Sequence, residues 1–367
     1  MFGIILISVA TCMHIYVFWR AVSVPVIERA VSGKLLIITG LILWALLFFG
    51  WVIGHRGTGA LAGALEFLGM SWMGILFLTF ISLLVIDLIT CFGMLMPRLS
   101  PSLRGWALFV GLARSGIAFI QGTRPPVVEK YEVSLPGLPG DLDGTVLVAP
   151  SDLHLGSQLG EEWLADRIVQ VEACQPDIIV LLGDILEGHG ASEDRFIGIL
   201  NQLSAPLGVW VVEGNHEVYR GDSMEAFEKA DFTVLRNEWT DITPGLVLAG
   251  VEDLGVRRRN SRSKRGDPIS QALDARPPGA TIFLSHTPAQ VERAAAAVVG
   301  LMLSGHTHGG QIWPFDYLVR SRYPFLEGAY EVDGMTLIVS RGTGTWGPRM
   351  RLWHTGQILH VTLRAKS

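Results

Sequence analysis

Cysteine is scarce in this chain of 367 residues: Cys12, Cys91 and Cys174 are the whole supply. The first two fall in apolar segments and the third beside a helix end. All three read as unpaired buried thiols, with no disulfide framework and no cysteine-ligated zinc site expected. Charge is scarce as well, at 17% of residues, and scarcest before position 120. The formal net charge of −5 carries no basic signature, so nucleic acid is not an expected partner. Internal repeats and low-complexity tracts are missing. So is a basic n-region with a small-residue cleavage site before position 25, which argues against a cleaved signal peptide.

Apolar length takes the place of charge. Residues 2–19 and 35–54 are uncharged runs, and residues 70–96 form a third, broken only by Asp87. Residues 105–121 form a fourth, shorter and carrying Arg114. A bilayer core takes about 20 apolar residues per helix. The expectation is four spans, the alternative being three and an interfacial helix. Asp87 and Arg114 lie at similar distances from the turn near Pro97 to Ser102, so antiparallel helices would bring them to similar depth, as a structural ion pair, as a polar site within the membrane or as two chains snorkelling to water. With four spans, Arg20, Arg29, Lys34, Arg98 and Arg104 share one side, and Arg56, Arg124 and Lys130 the other. The richer side belongs in the cytoplasm, so the N-terminus and the remainder of the chain face outward.

The expected organisation is a transmembrane domain over 1–121, a connector over 122–144 and an α/β domain over 145–367. The connector is rich in Pro and Gly, with Val127 to Val133 alternating like an edge strand. Helices are expected over 161–175, with Trp163, Leu164, Ile168, Val169 and Val171 buried, over 192–203, and from Ser223 to Ala230. Strand alternating with helix points to a layered α/β architecture.

Within that domain, five short apolar runs each end in a residue able to hold a metal ion. Thr145 to Ala149 leads to Asp152 and His154. Asp177 to Leu182 leads to Gly183-Asp184, and Gly208 to Val212 leads to Gly214-Asn215-His216-Glu217. Ala280 to Leu284 leads to His286, and Leu301 to Leu303 leads to Gly305-His306-Thr307-His308. Carboxyl ends of strands in a layered sheet share an edge, where ligands bind. Any one of these histidines alone is an ordinary polar residue; together they read as a metal centre.

The order D-x-H, G-D, G-N-H-E, H, G-H-x-H resembles the calcineurin-like metallophosphoesterase superfamily, from about Val146 to Leu363. The blocks from Gly305 to Pro314 and from Ser340 to Pro348 resemble its bacterial membrane-associated phosphodiesterases. One departure is Glu187, where the family usually carries aspartate in G-D-x-x-D. The resemblance implies a layered β-sandwich flanked by helices, here preceded by all-α membrane helices. It implies two divalent ions, with Mn, Fe and Zn all compatible with oxygen and nitrogen ligands. Asp152, His154 and His308 would hold the first, Asn215, His286 and His306 the second, and Asp184 both. His216 would stand over the site to protonate the leaving oxygen or stabilise the transition state, oriented by Glu217. Glu187 is not expected to bind metal.

Substrate contacts are sought in the basic stretch 257–265, led by Arg257, Arg258 and Arg259, which suits an anionic head group or a solvated loop. Trp313, Phe315, Tyr317, Tyr323 and Phe325 suit an apolar groove or ordinary packing. The expected function is a metal-dependent phosphodiesterase or pyrophosphatase in a bacterial cell membrane, with membrane lipids as partners and lipid or lipid-linked phosphates as substrates. The alternatives are a tethered phosphodiesterase for soluble substrates and a non-catalytic metal-binding membrane sensor.

Overall fold

Apolar segments with little periodic polarity form helices that bury one side on each other and leave the other apolar face outward. The N-terminal third of this computed structural model follows that rule. All residues are described except 1, 55, 56, 58, 188–192, 221, 222, 231, 260–265 and 367. The chain divides into two compact units. One is Met1–Arg124 with Gly347–His354, and the other is Pro125–Trp346 with Thr355–Ser367.

The helical unit holds α1 (Phe2–Val22), α2 (Pro25–Ala30), α3 (Gly33–Phe49), α4 (Ala60–Ile89) and α5 (Ser100–Thr123). A π-helical turn, Gly50–Gly54, prolongs α3. Ser32 caps α3 by accepting the Leu35 N–H at 3.3 Å. Among the described residues four helices are long and apolar enough to cross a membrane: α1, α3 with its extension, α4 and α5. The third begins ten residues before the run at 70–96 and takes in Glu66; the stretch after Ile89 turns through Cys91–Gly93 instead of continuing it. Ala10, Val17, Leu47, Leu76, Leu83 and Ala107 form the core of this unit. Helices approach closely where side chains are small: Gly69 lies against Gly50, and Gly111 against Thr79. The segment Gly347–His354 is held to α5, with the Arg351 N–H donating to the Ala118 carbonyl at 2.9 Å.

Two sequence expectations change here. Asp87 pairs with Arg20 at 2.5 Å and Arg104 at 2.9 Å, and accepts from Tyr16, in place of the expected Arg114. Arg104 lies in the first turns of α5 and Asp87 in the last of α4, so the short turn brings that pair to one level. Cys12 and Cys91 are exposed on the protein surface and not buried.

The second unit opens with β1 (Val127–Leu135), which lies within the segment expected as connector. Then follow β2 (Val146–Ala149), α6 (Glu161–Glu172), β3 (Ile178–Leu182), α7 (Glu193–Leu200), β4 (Val209–Val212), α8 (Asn215–Arg220), α9 (Ser223–Lys229) and β5 (Thr233–Val234). Next come β6 (Glu238–Thr243), β7 (Leu246–Gly250), α10 (Leu254–Arg259), α11 (Pro268–Leu273), β8 (Ala280–Leu284), α12 (Val291–Ala296) and β9 (Leu301–Ser304). The last elements are α13 (Phe315–Arg322), β10 (Gly328–Val332), β11 (Met335–Val339) and β12 (Gln357–Ala365).

The strands form two six-stranded sheets, ordered β1-β12-β2-β3-β4-β5 and β10-β11-β9-β8-β7-β6. Leu147, Ala149, Val180 and Leu182 of the first meet Leu246, Leu248, Ile282 and Leu284 of the second in one apolar core. Leu164, Ile168, Phe196 and Phe227 cover the outer face of the first sheet, and Ile269, Ala272, Val291 and Ala294 that of the second. The result is helix, sheet, sheet, helix, as the resemblance implies. On α6 the buried side is Leu164, Arg167, Ile168 and Val171; Val169 turns outward at 70% exposure. Parallel pairing of β2, β3 and β4, and of β8 and β9, brings the carboxyl ends within each set to one edge.

Candidate metal centre

Five of the seven proposed ligands are held in left-handed backbone conformation. Asp152 (φ 52°), His154 (46°), Asp184 (49°), His306 (71°) and His308 (52°) all lie where side chains other than glycine's are uncommon. Such strain persists only where surrounding structure fixes it, and it clusters at functional sites. Here the fixing bonds run between strand-end loops. Asp152 N–H donates to Gly183 at 3.0 Å, and His154 N–H to Asp184 at 3.0 Å. The Asp152 carboxylate accepts the His306 N–H at 3.0 Å and the Ser151 hydroxyl. Glycine is required where these loops touch: a Cβ on Gly214 or Gly305 would fall on the Asp184 or Asp152 carboxylate.

Among the described residues three overlapping groups of ligand atoms result: Asp152, His154 and His308; Asp184, His286 and His306; and, linking them, His154, Asp184 and His216. His154 and His308 point their Nε2 atoms at each other across 3.1 Å, and Asp152 Oδ1 is 3.4 Å from His308 Nε2. Asp184 Oδ2 lies 3.2 Å from His286 Nε2 and 3.9 Å from His154 Nε2, between the groups. His286 donates its Nδ1–H to the Leu182 carbonyl at 2.9 Å, which turns Nε2 toward the Asp184 carboxylate. Both His286 Nε2 and Asn215 Oδ1 are buried without a hydrogen-bond partner. Carboxylate oxygens and imidazole nitrogens converging in this way fit divalent cations.

Electrostatics point the same way. Burial disfavours a charged imidazole, yet Glu187, Asp184 and Asp152 outweigh it and push His154 up to about 9. Burial opposes charge on His286 too, but Asp184, Asp152 and Asp253 raise it well above its ordinary value. Burial raises Asp152, with His286 pulling it back. Asp184 is driven well below the carboxylate range: burial opposes, but His286, His216 and His154 prevail.

His216 is partly exposed at the rim, its Nε2 4.0 Å from Asp184 Oδ2 and its ring edge-on to His154 at 4.8 Å. Glu217 is fully buried and accepts the N–H groups of Asp184, Ile185, Leu186 and Gly214 at 2.8 to 3.1 Å, locking two strand-end loops together. The carboxylate near His216 is Glu187, with Oε1 3.4 Å from His216 Nδ1 and Oε2 hydrogen-bonded to His154 Nδ1. The departure from the family motif thus reaches both histidines.

Sequence reasoning missed three supports. The Tyr323 hydroxyl sits 2.9 Å from His306 Nε2. Gln311 clamps the backbone of Trp346 in both directions at 2.9 Å, and the Trp346 ring stands 6.5 Å from that of His216. Asp253 accepts the Thr287 hydroxyl just after His286. Tyr323 and Trp346 were visible as aromatics near motifs, but only the fold gives them partners. Phe325 packs on Tyr330 against the apolar cluster outside the second sheet. Arg257, Arg258 and Arg259 end α10, and their side chains, with 260–265, lie outside the described residues.

The sequence profile of the calcineurin-like phosphoesterase family matches residues 147–310. An uncharacterized metallophosphoesterase of Aquifex aeolicus is 36% identical over 247 residues, covering 65% of this chain and 92% of the relative. An uncharacterized metallophosphoesterase of Campylobacter jejuni is 32% identical over 248 residues, covering 66% of this chain and 64% of the relative. A Bos taurus protein named for a transmembrane region and a metallophosphoesterase domain is 31% identical over 275 residues, covering 71% and 62%. The chain therefore spans less than two thirds of the last two.

Proposed function

Because the chain belongs to the calcineurin-like phosphoesterase family, we propose that it is a membrane-anchored phosphoesterase that uses two divalent ions to hydrolyse phosphodiester or pyrophosphate bonds of lipid or lipid-linked substrates. The observation that carries this reading is the overlap of the ligand groups through His154 and Asp184, with His216 in reach of both. Asp152, His154 and His308 would hold one ion, and His286, His306 and Asn215 the other. Ions bound there would polarise phosphoryl oxygens and supply a nucleophile near neutral pH.

The chain's own groups do the rest. The Glu187 carboxylate holds Nδ1 of His216, which leaves Nε2 to face the site. From there His216 stabilises charge on the phosphoryl group and donates a proton to the departing oxygen. The buried Glu217 and the hydrogen-bonded loops keep the ligands fixed in advance, so little reorganisation is needed.

Four helices of spanning length and a mammalian relative named as transmembrane support the membrane part. Arg29, Lys34 and Arg98, with Arg20 and Arg104, favour an outward-facing catalytic unit in a bacterial cell membrane. The lipid substrate draws support from the shortness of the link between α5 and β1, which is three residues. The test compares kcat/KM for an acyl- or prenyl-bearing phosphodiester with that for its water-soluble head group, using purified chain in mixed micelles. The lipid substrate is expected to win by at least roughly tenfold. Equal rates would leave a tethered general phosphodiesterase.

A further inference from the structure

We propose that α13 is an interfacial helix that lies on the bilayer surface and holds the metal centre at head-group level. This rests on the membrane reading above. The observation is a cluster of large apolar side chains turned outward just after the last metal motif. Trp313 is 37% exposed, Phe315 38%, Tyr317 65% and Leu318 63%. Single exposed apolar residues are ordinary, but four within six positions form a patch. Every residue of α13 is described and none is buried.

The helix has a defined outer side. At about 100° per residue, Tyr317, Ser321, Leu318, Arg322 and Phe315 fall on one arc of roughly 160°. Asp316 lies on the other side, where its Cα and Cβ fill the space beside Gly310. Aromatic rings, a leucine and an arginine on one arc match the chemistry of a membrane interface. The rings sit at head-group depth, while Arg322, with Arg320 nearby, reaches lipid phosphates. Arg322 already lies over the Tyr323 ring at 5.2 Å.

The position of α13 gives the patch a function. Its first turn is pressed against Gly310, two residues past His308. Its C-terminal neighbour, Tyr323, holds His306 at 2.9 Å. Seating α13 on lipid would therefore fix the height of the ligand loops at both ends, and phosphates at the head-group level would come to the ions.

The test uses the full chain in lipid nanodiscs with its three cysteines replaced by serine. An environment-sensitive fluorophore is placed on Leu318→Cys, and in a second variant on Tyr317→Cys. Two reference sites are Leu41→Cys on α3, exposed by 62%, and Val298→Cys, exposed by 80% at the amino edge of β9. With lipids brominated near the top of the acyl chain, the labels at 318 and 41 are expected to lose at least roughly a third of their emission, and the label at 298 none. Arg320→Gln with Arg322→Gln should weaken quenching at 318 more in anionic than in neutral lipid. Quenching at 41 but not at 317 or 318 would overturn the docking and leave the membrane reading standing. Absence of quenching at 41 would remove both. A blue-shifted but unquenched label at 318 would mean a protein covers the patch, which also overturns the proposal.

Discussion

Glu187 is the residue on which the chemistry of this site turns most sharply. It is one methylene longer than the aspartate usual at its position, and it touches Nδ1 of His154 while standing 3.4 Å from Nδ1 of His216. One carboxylate thus supports a proposed metal ligand and the proposed proton donor. Groups that orient ligands typically cost ten- to a hundredfold when removed. Glu187→Gln should lower metal affinity and kcat together, each by about tenfold. His216→Ala should instead keep the metals and lower turnover, more for poor leaving groups than for activated aryl esters. A Glu187→Gln variant with normal metal affinity would confine that carboxylate to His216. Equal losses for both leaving groups in His216→Ala would remove the proton-donor role.

Elements were legible wherever local pattern decides them. The strands before Asp152, Asp184, Asn215, His286 and His306 announced themselves as short apolar runs stopped by Gly, Ser or Pro. What was illegible came from partners far apart in sequence. Nothing around Glu217 foretells that it gathers four N–H groups, three of them from the loop after β3. The partner of Asp87 depended on where α4 ends, and an apolar run continuing past Ile89 hid that turn. α13 was missed because aromatic residues near a motif read equally as groove or core. At this scale, helix contact rests on small residues. A Cβ on Gly111 would meet Thr79 Cα at 2.7 Å, backbone that cannot yield cheaply. Gly111→Leu should destabilise the helical unit by about 1–3 kcal/mol, read as a lower melting temperature in micelles. An unchanged melting temperature would mean that α4 and α5 do not pack at this point.

For the whole molecule, the proposed pair of cation sites is built from strand-edge clusters that meet through Asp184 and His154. His154, raised to about 9, is protonated below that pH when metal is absent and must lose the proton to bind. Affinity should therefore strengthen as pH rises toward 9, by up to about tenfold per unit for each proton released. The decisive measurement is a titration of metal-free full-length chain with Mn²⁺ or Zn²⁺ at pH 8, following hydrolysis of an activated phosphodiester against equivalents added. The rate should climb from near zero to a break at about two equivalents, and the break should blur at pH 6 as protons compete. Hydrolysis by the metal-free chain, or a sharp break at one equivalent, would contradict the account.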